Sequence, residues 1–236
     1  KGTAGFLTLY AIAAIGVVLQ LSCYYRMKEL PVRKPKPSTK PPVVRLAEPL
    51  RDHSFRKIIL YNILYNIGVY VANSYVSIYL VSELRLDYAY IAVMSVVSTI
   101  ARIIAGPRWG RFGDRFGYVR LSVLSIALLA ISLLMNGFVT PVTYPVLLPL
   151  LNIVSGVAWG GLAVVNLNTY MLNAKRESMT VYLGVNGGLA SLAGFLAALL
   201  GAMLADRMTG LHFQLLGLPI TYMQVMFFLS AALLIA

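Results

Sequence analysis

A bundle of membrane-spanning α-helices is the fold class this sequence predicts. Three observations carry it: the composition, the length of the apolar runs, and the charge in the gaps between them. Of 236 residues, 59% are hydrophobic and 12% charged, against roughly 45–50% and about 25% in a soluble domain. At a mean hydropathy of +0.77 there is too little polar surface to coat a water-soluble core. A soluble enzyme is excluded on that ground. Disorder and collagen are excluded too, because the apolar content is high and the 19 glycines follow no triplet period.

A hydrocarbon core about 30 Å thick needs about 20 apolar residues per helix. Seven runs qualify, at 3–24, 58–81, 88–106, 121–138, 144–172, 180–205 and 219–236, and they predict seven transmembrane helices. They are too long for barrel strands and lack period-two alternation. The first is followed by Tyr24, Tyr25 and Arg26 instead of a small-residue cleavage site, so it reads as a spanning helix and not a signal peptide. The single cysteine, Cys23, excludes an internal disulfide and fits a small apolar position in that helix. The chain opens at Lys1 and stops at Ala236 inside an apolar run, which predicts a portion of a longer protein.

The gaps set the orientation. Ten basic residues fall in 25–57, five more are Arg102, Arg108, Arg111, Arg115 and Arg120, and two are Lys175 and Arg176. Seventeen of the 20 therefore share one side, and only Lys1, Arg85 and Arg207 lie on the other. Positive loops stay in the cytoplasm, so 25–57 is predicted inside a cell membrane and Val139–Thr143 outside it. Six of the 11 prolines also lie in 25–57, which predicts an extended, solvated linker between helix 1–24 and the six-helix unit 58–236. Topology accounts for its charge, so an anionic-lipid patch is the lesser reading and no nucleic-acid partner is expected.

Several chemistries have no residues to carry them. His53 and His212 are the only histidines, and no Gly-Lys-Ser/Thr or Gly-x-Gly-x-x-Gly nucleotide loop occurs. No catalytic residue, metal site or cofactor is expected. All eight acids lie in the gaps, so no buried proton carrier is visible in a span. No lysine follows Lys175, which excludes a retinal Schiff base in the last helix. A non-transporting seven-helix receptor or scaffold stays open as an alternative to a transporter.

The gap Trp109–Arg120 reads Trp-Gly-Arg-Phe-Gly-Asp-Arg-Phe-Gly-Tyr-Val-Arg. Its glycines permit tight turns and close helix approach, and Asp114 can pair with a neighbouring cation. This stretch resembles the loop signature of the major facilitator superfamily, Gly-x-Leu-Ala-Asp-Arg-x-Gly-Arg-Lys. Gly110, Asp114, Arg115 and Gly117 match in register, whereas Tyr118 and Val119 replace the Arg-Lys pair. That departure suits the weaker copy after the eighth helix. The stretch Pro49–Lys57 resembles the approach to the seventh helix, and Asn173–Met179 the short loop between the tenth and eleventh. Ala205–Gly210 imitates the signature but falls on the outer side, where it reads as a helix end.

The resemblance implies a major-facilitator-type bundle, with this chain supplying helices six to twelve. It implies secondary active transport of a small solute by alternating access, with an N-terminal half, the lipid bilayer and a coupling ion as partners. Gly110, Asp114, Arg115 and Gly117 would form a gating loop whose acid helps close the cytoplasmic face.

Polar residues inside spans face protein or a water-filled cavity. Asn62, Asn66 and Asn73, spaced by 4 and 7, share one helix face. So do Asn152, Ser155, Trp159, Asn166 and Tyr170. By the resemblance these helices are the seventh and tenth, which line the central cavity; the other reading is that the amides join helices by hydrogen bonds. With no fixed charge among them, they suggest a neutral or amphiphilic solute. Gly184 with Gly188, and the heptad Gly187, Gly194 and Gly201, predict close helix packing, and Arg102 is expected to snorkel to the inner interface.

Overall fold

A computed structural model describes residues 2–27, 41–173, 178–208, 213–215 and 218–235. Lys36, Lys175 and Arg176 of the predicted inner gaps lie outside the described residues. The chain divides into two units, 1–39 and 40–236. In the first, α1 (Gly2–Arg26) is a continuous helix exposing Ile15, Val18, Leu19 and Leu21, as its uninterrupted apolar run predicts.

The second unit holds α2 (Pro42–Arg51), α3 (His53–Ile78) with a π-helical turn at Tyr79–Glu83, α4 (Tyr88–Phe116), α5 (Tyr118–Gly137), α6 (Tyr144–Asn173), α7 (Met179–Met208) and α8 (Tyr222–Ile235). A short antiparallel hairpin, β1 (Phe213–Leu215) and β2 (Leu218–Ile220), precedes α8. Among the described residues Tyr88–Phe116, Tyr118–Gly137, Tyr144–Thr169 and Met179–Met208 are long and apolar enough to cross a membrane, and α8 is a shorter apolar helix. At 26 residues α3 has the length, but its asparagines and tyrosines dilute its hydropathy.

Three boundaries differ from the sequence prediction. Residues 42–51 of the supposed extended linker form α2. Pro42 sits at the start of the helix, where its missing N–H costs nothing, and Pro49 falls in the last turn. Asp52 then ends α2 and caps α3, its Oδ1 accepting from Ser54 N at 3.1 Å and Phe55 N at 3.4 Å. The supposed loop at 109–120 is helical through Phe116, because only Gly117, at φ 91°, breaks the run. The last helix starts at Tyr222 instead of 219. Thr221 and Gln224 form half of a capping box there, with Thr221 N donating to Gln224 Oε1 at 2.9 Å.

Packing shows an internal repeat. Helix α4 packs on α6, α3 on α7 and α8, and α5 on α6 and α8. Exchanging α3 with α6, α4 with α7 and α5 with α8 maps this pattern onto itself. By packing, the unit is two three-helix repeats.

Buried polar groups tie the ends. At one end Tyr79 Oη donates to Val139 O at 2.6 Å, and Gln224 Nε2 donates to Gly137 O and Val139 O at 3.0 and 3.2 Å. At the other, Phe55 and Tyr182 meet edge to face with centroids 4.6 Å apart, and Tyr182 Oη donates to Asp52 Oδ2 at 3.2 Å. Unsatisfied, each such buried group would cost roughly 1–3 kcal/mol.

Candidate functional site

The seam between α4 and α6 organises the site. A Cβ on Gly156 would collide with the Ser98 carbonyl, and one on Gly160 would stand 3.1 Å from the Arg102 carbonyl. These two glycines, four residues apart, let the helix backbones touch. The seam has two sides. On one lie Ile153 and Val157 of α6 with Val97, Ile104 and Arg108 of α4. At about 100° per residue, Asn152, Ser155, Trp159 and Asn166 of α6 and Ser95, Thr99 and Arg102 of α4 fall on the other. The two polar faces are therefore contiguous.

Helix α3 reaches this polar side through its tyrosines. The Tyr65 and Trp159 rings meet edge to face with centroids 6.5 Å apart, and Tyr61 stacks parallel to Tyr65 at 6.3 Å. Beneath them Tyr65, Val69, Leu129, Ala158 and Leu162 form an apolar cluster that fixes the distance between α3 and α6.

The predicted asparagines separate into different environments. Asn62 is buried; its Nδ2 donates to Ile58 O at 3.0 Å and to Asn186 Oδ1 of α7 at 3.3 Å. Asn66 is half-buried and its Nδ2 donates to Asn62 O at 2.7 Å. Asn73 is exposed. Asn152 and Asn166 are half-buried, and Asn152 Nδ2 donates to Leu148 O at 2.9 Å.

Ser95 and Thr99 were not among the residues singled out from sequence, and Arg102 was expected only to snorkel to the inner interface. Both hydroxyls donate to carbonyls four residues back, Ser95 to Ile91 O at 3.1 Å and Thr99 to Ser95 O at 2.9 Å, so their lone pairs remain for a ligand. Their spacing of 4 and 3 up to Arg102 was a legible signal. A span ending at 106 placed Arg102 at the membrane boundary; with α4 helical to Phe116, Arg102 sits at mid-helix and exposed.

The signature residues occupy the end of α4 and its turn. Gly110, Asp114 and Arg115 are helical and Gly117 makes the turn. A Cβ on Gly113 would lie 2.6 Å from the Tyr118 ring, which reaches back over the helix so that its hydroxyl donates to Asp114 Oδ1 at 2.5 Å. The predicted close packing at Gly184, Gly187 and Gly188 is not seen, since a Cβ there would meet nothing within 4 Å. Gly194 and Gly201 do pack, against the Tyr70 ring and the Val71 carbonyl of α3.

Comparison with known proteins bears on the family. The sequence pattern of the Major Facilitator Superfamily matches residues 3–198 and again 58–236. A Bacillus subtilis (strain 168) protein, the uncharacterized MFS-type transporter YuxJ, is 33% identical over 112 residues. That match covers 47% of this chain and 27% of the relative's length. No solved structure matches. With a family match that runs through every described helix and apolar helices long enough to span a bilayer, this multi-pass membrane chain belongs to the major facilitator superfamily.

Proposed function

We propose that the chain is helices six to twelve of a secondary active transporter that moves a small solute by alternating access. The contiguous polar faces of α4 and α6, joined to α3 at the Tyr65–Trp159 contact, carry this reading. Exposed amides and hydroxyls inside apolar helices are costly against lipid, so they mark a surface that meets water and solute. Asn66, Asn73, Asn152, Asn166, Ser95 and Thr99 would offer hydrogen bonds, and Trp159 a stacking wall. Asn62 instead joins α3 to α7. Arg102 adds a positive charge to this face, which favours a solute with a carboxylate or other acceptor oxygens over the neutral one suggested by the amides alone.

The N-terminal half would close the other side of the cavity, and any coupling ion would bind between the halves. The basic segment 25–57 would face the cytoplasm. Gly110, Asp114, Arg115 and Gly117 would gate the inner mouth from the end of α4. Counterflow by the full-length protein in vesicles tests the reading. Exchange of labelled organic anions that needs a higher solute concentration in Trp159→Ala supports it. Solute binding with no exchange across the membrane would leave a receptor.

A further inference from the structure

The apolar side of the α4–α6 seam is a groove of about 650 Å³, lined by Val97, Ile100, Ile104 and Arg108 of α4 and Ile153 and Val157 of α6. Its chemistry is graded along its length. The outer part is aliphatic. Near the other end Trp109 closes the wall, its indole Nε1 donating to Val157 O at 2.8 Å. Arg108 is exposed there and spends one donor on Ile104 O at 2.8 Å; a guanidinium has five.

Depth separates these two ends. Arg108 lies 20 residues beyond Tyr88, the first residue of α4, which at 1.5 Å per residue is about 30 Å, the thickness of the hydrocarbon core. The Arg108 backbone therefore stands at the inner edge of the hydrocarbon core, with the guanidinium one turn back at Ile104 O and open to a headgroup reaching down to it, while Val97 and Ile100 stand at chain level. Arginine and tryptophan are the side chains suited to that boundary. The groove is also turned away from Asn152, Trp159, Ser95 and Thr99, so a solute on the polar face would not pass through it.

We propose that this groove binds one anionic phospholipid of the cytoplasmic leaflet, with an acyl chain along α4 and α6 and the phosphate on Arg108. The charge pairing selects the occupant: guanidinium groups bind phosphate through paired N–H donors, and inner-leaflet anionic lipids concentrate at basic inner surfaces. A neutral membrane helix over the groove would leave Arg108 without a counter-charge. The assignment to the cytoplasmic leaflet rests on the orientation proposed above; the binding itself does not, and neither depends on transport.

Native mass spectrometry of the full-length protein in detergent, with phosphatidylglycerol or phosphatidylcholine added, tests this. The wild type should retain one phosphatidylglycerol about tenfold more strongly than phosphatidylcholine. Arg108→Gln should abolish that preference and Arg108→Lys should keep most of it. Ile153→Trp, which fills the groove from an exposed position, should remove the retained lipid while Arg108 is intact. Equal retention of the two lipids by the wild type overturns the proposal, as does unchanged retention in Ile153→Trp. Retention of neither lipid would mean that another helix covers the groove, and overturns it as well. Counterflow measured on the same preparations reports separately on the transport reading.

Discussion

The Tyr118 hydroxyl donates to the Asp114 carboxylate at 2.5 Å across the turn that joins α4 to α5. Tyr118 stands where the superfamily signature carries arginine, so here a phenol holds the acid. The contact depends on two glycines with different tasks. Gly113 leaves room for the ring, and Gly117 adopts φ 91°, a backbone state that costs an L side chain strain. Asp114 is exposed, and under the proposed function it would exchange this partner for one on the N-terminal half.

If that exchange gates the inner mouth, Asp114→Asn and Tyr118→Phe should act in opposite directions. Asp114→Asn removes the acid's part in closing the cytoplasmic face and favours the inward-open state. Tyr118→Phe frees the acid for the other half and favours closure. A cysteine lining the inner cavity should label a few-fold faster in the first variant and slower in the second, with solute affinity little changed. Matching rates in both variants would assign the contact to turn stability alone.

On the polar face, Trp159→Ala, Asn66→Leu and Thr99→Val in the full-length protein should each raise KM for the transported solute while folded protein stays near the wild-type level. Asn62→Leu should do the reverse, because its amide serves the α3–α7 contact to Asn186. Interhelical hydrogen bonds of this kind average about 0.6 kcal/mol, so the stability loss should be modest. Thermal unfolding and transport measured on the same preparations separate the two groups.

Glycines on α6 and α7 should differ sharply in their tolerance of a methyl group. Gly156→Ala drives a Cβ into the Ser98 carbonyl and should cost about 1–3 kcal/mol, as overpacking does. Gly188→Ala meets nothing within 4 Å and should leave Tm unchanged or raised, since alanine is the better helix former by about 1 kcal/mol. A lowered Tm in Gly188→Ala would show that this face packs against another part of the molecule.

Orientation is testable with single cysteines in a Cys23→Ser background. A cysteine at Arg111 should react only with reagent in the cytoplasm. Val139, in the predicted outer gap, is unsuitable as its partner because its side chain is fully buried, whereas Val142 is 87% exposed. A cysteine at Val142 should react only from outside. Outside labelling at 111 would invert the topology.

Membrane class and the helical character of the apolar runs were legible in the sequence, because apolar length is a property read along one dimension. The stretch holding Gly110, Asp114, Arg115 and Gly117 was legible too, but as a loop, whereas only Gly117 leaves the helix. Helical character at 42–51 was masked by Pro42, which the first turn of a helix accepts, and by Pro49, whose lost hydrogen bond falls near the helix end. The separation of Asn62 from Asn66 depended on Asn186, more than a hundred residues away. The true glycine seam depended on where the Ser98 and Arg102 carbonyls of α4 meet α6. Gly156 with Gly160 and Gly184 with Gly188 have the same spacing in the sequence. Only the packing of distant helices decided which pair touches a backbone, because contact is a property of two surfaces and a sequence pattern describes one.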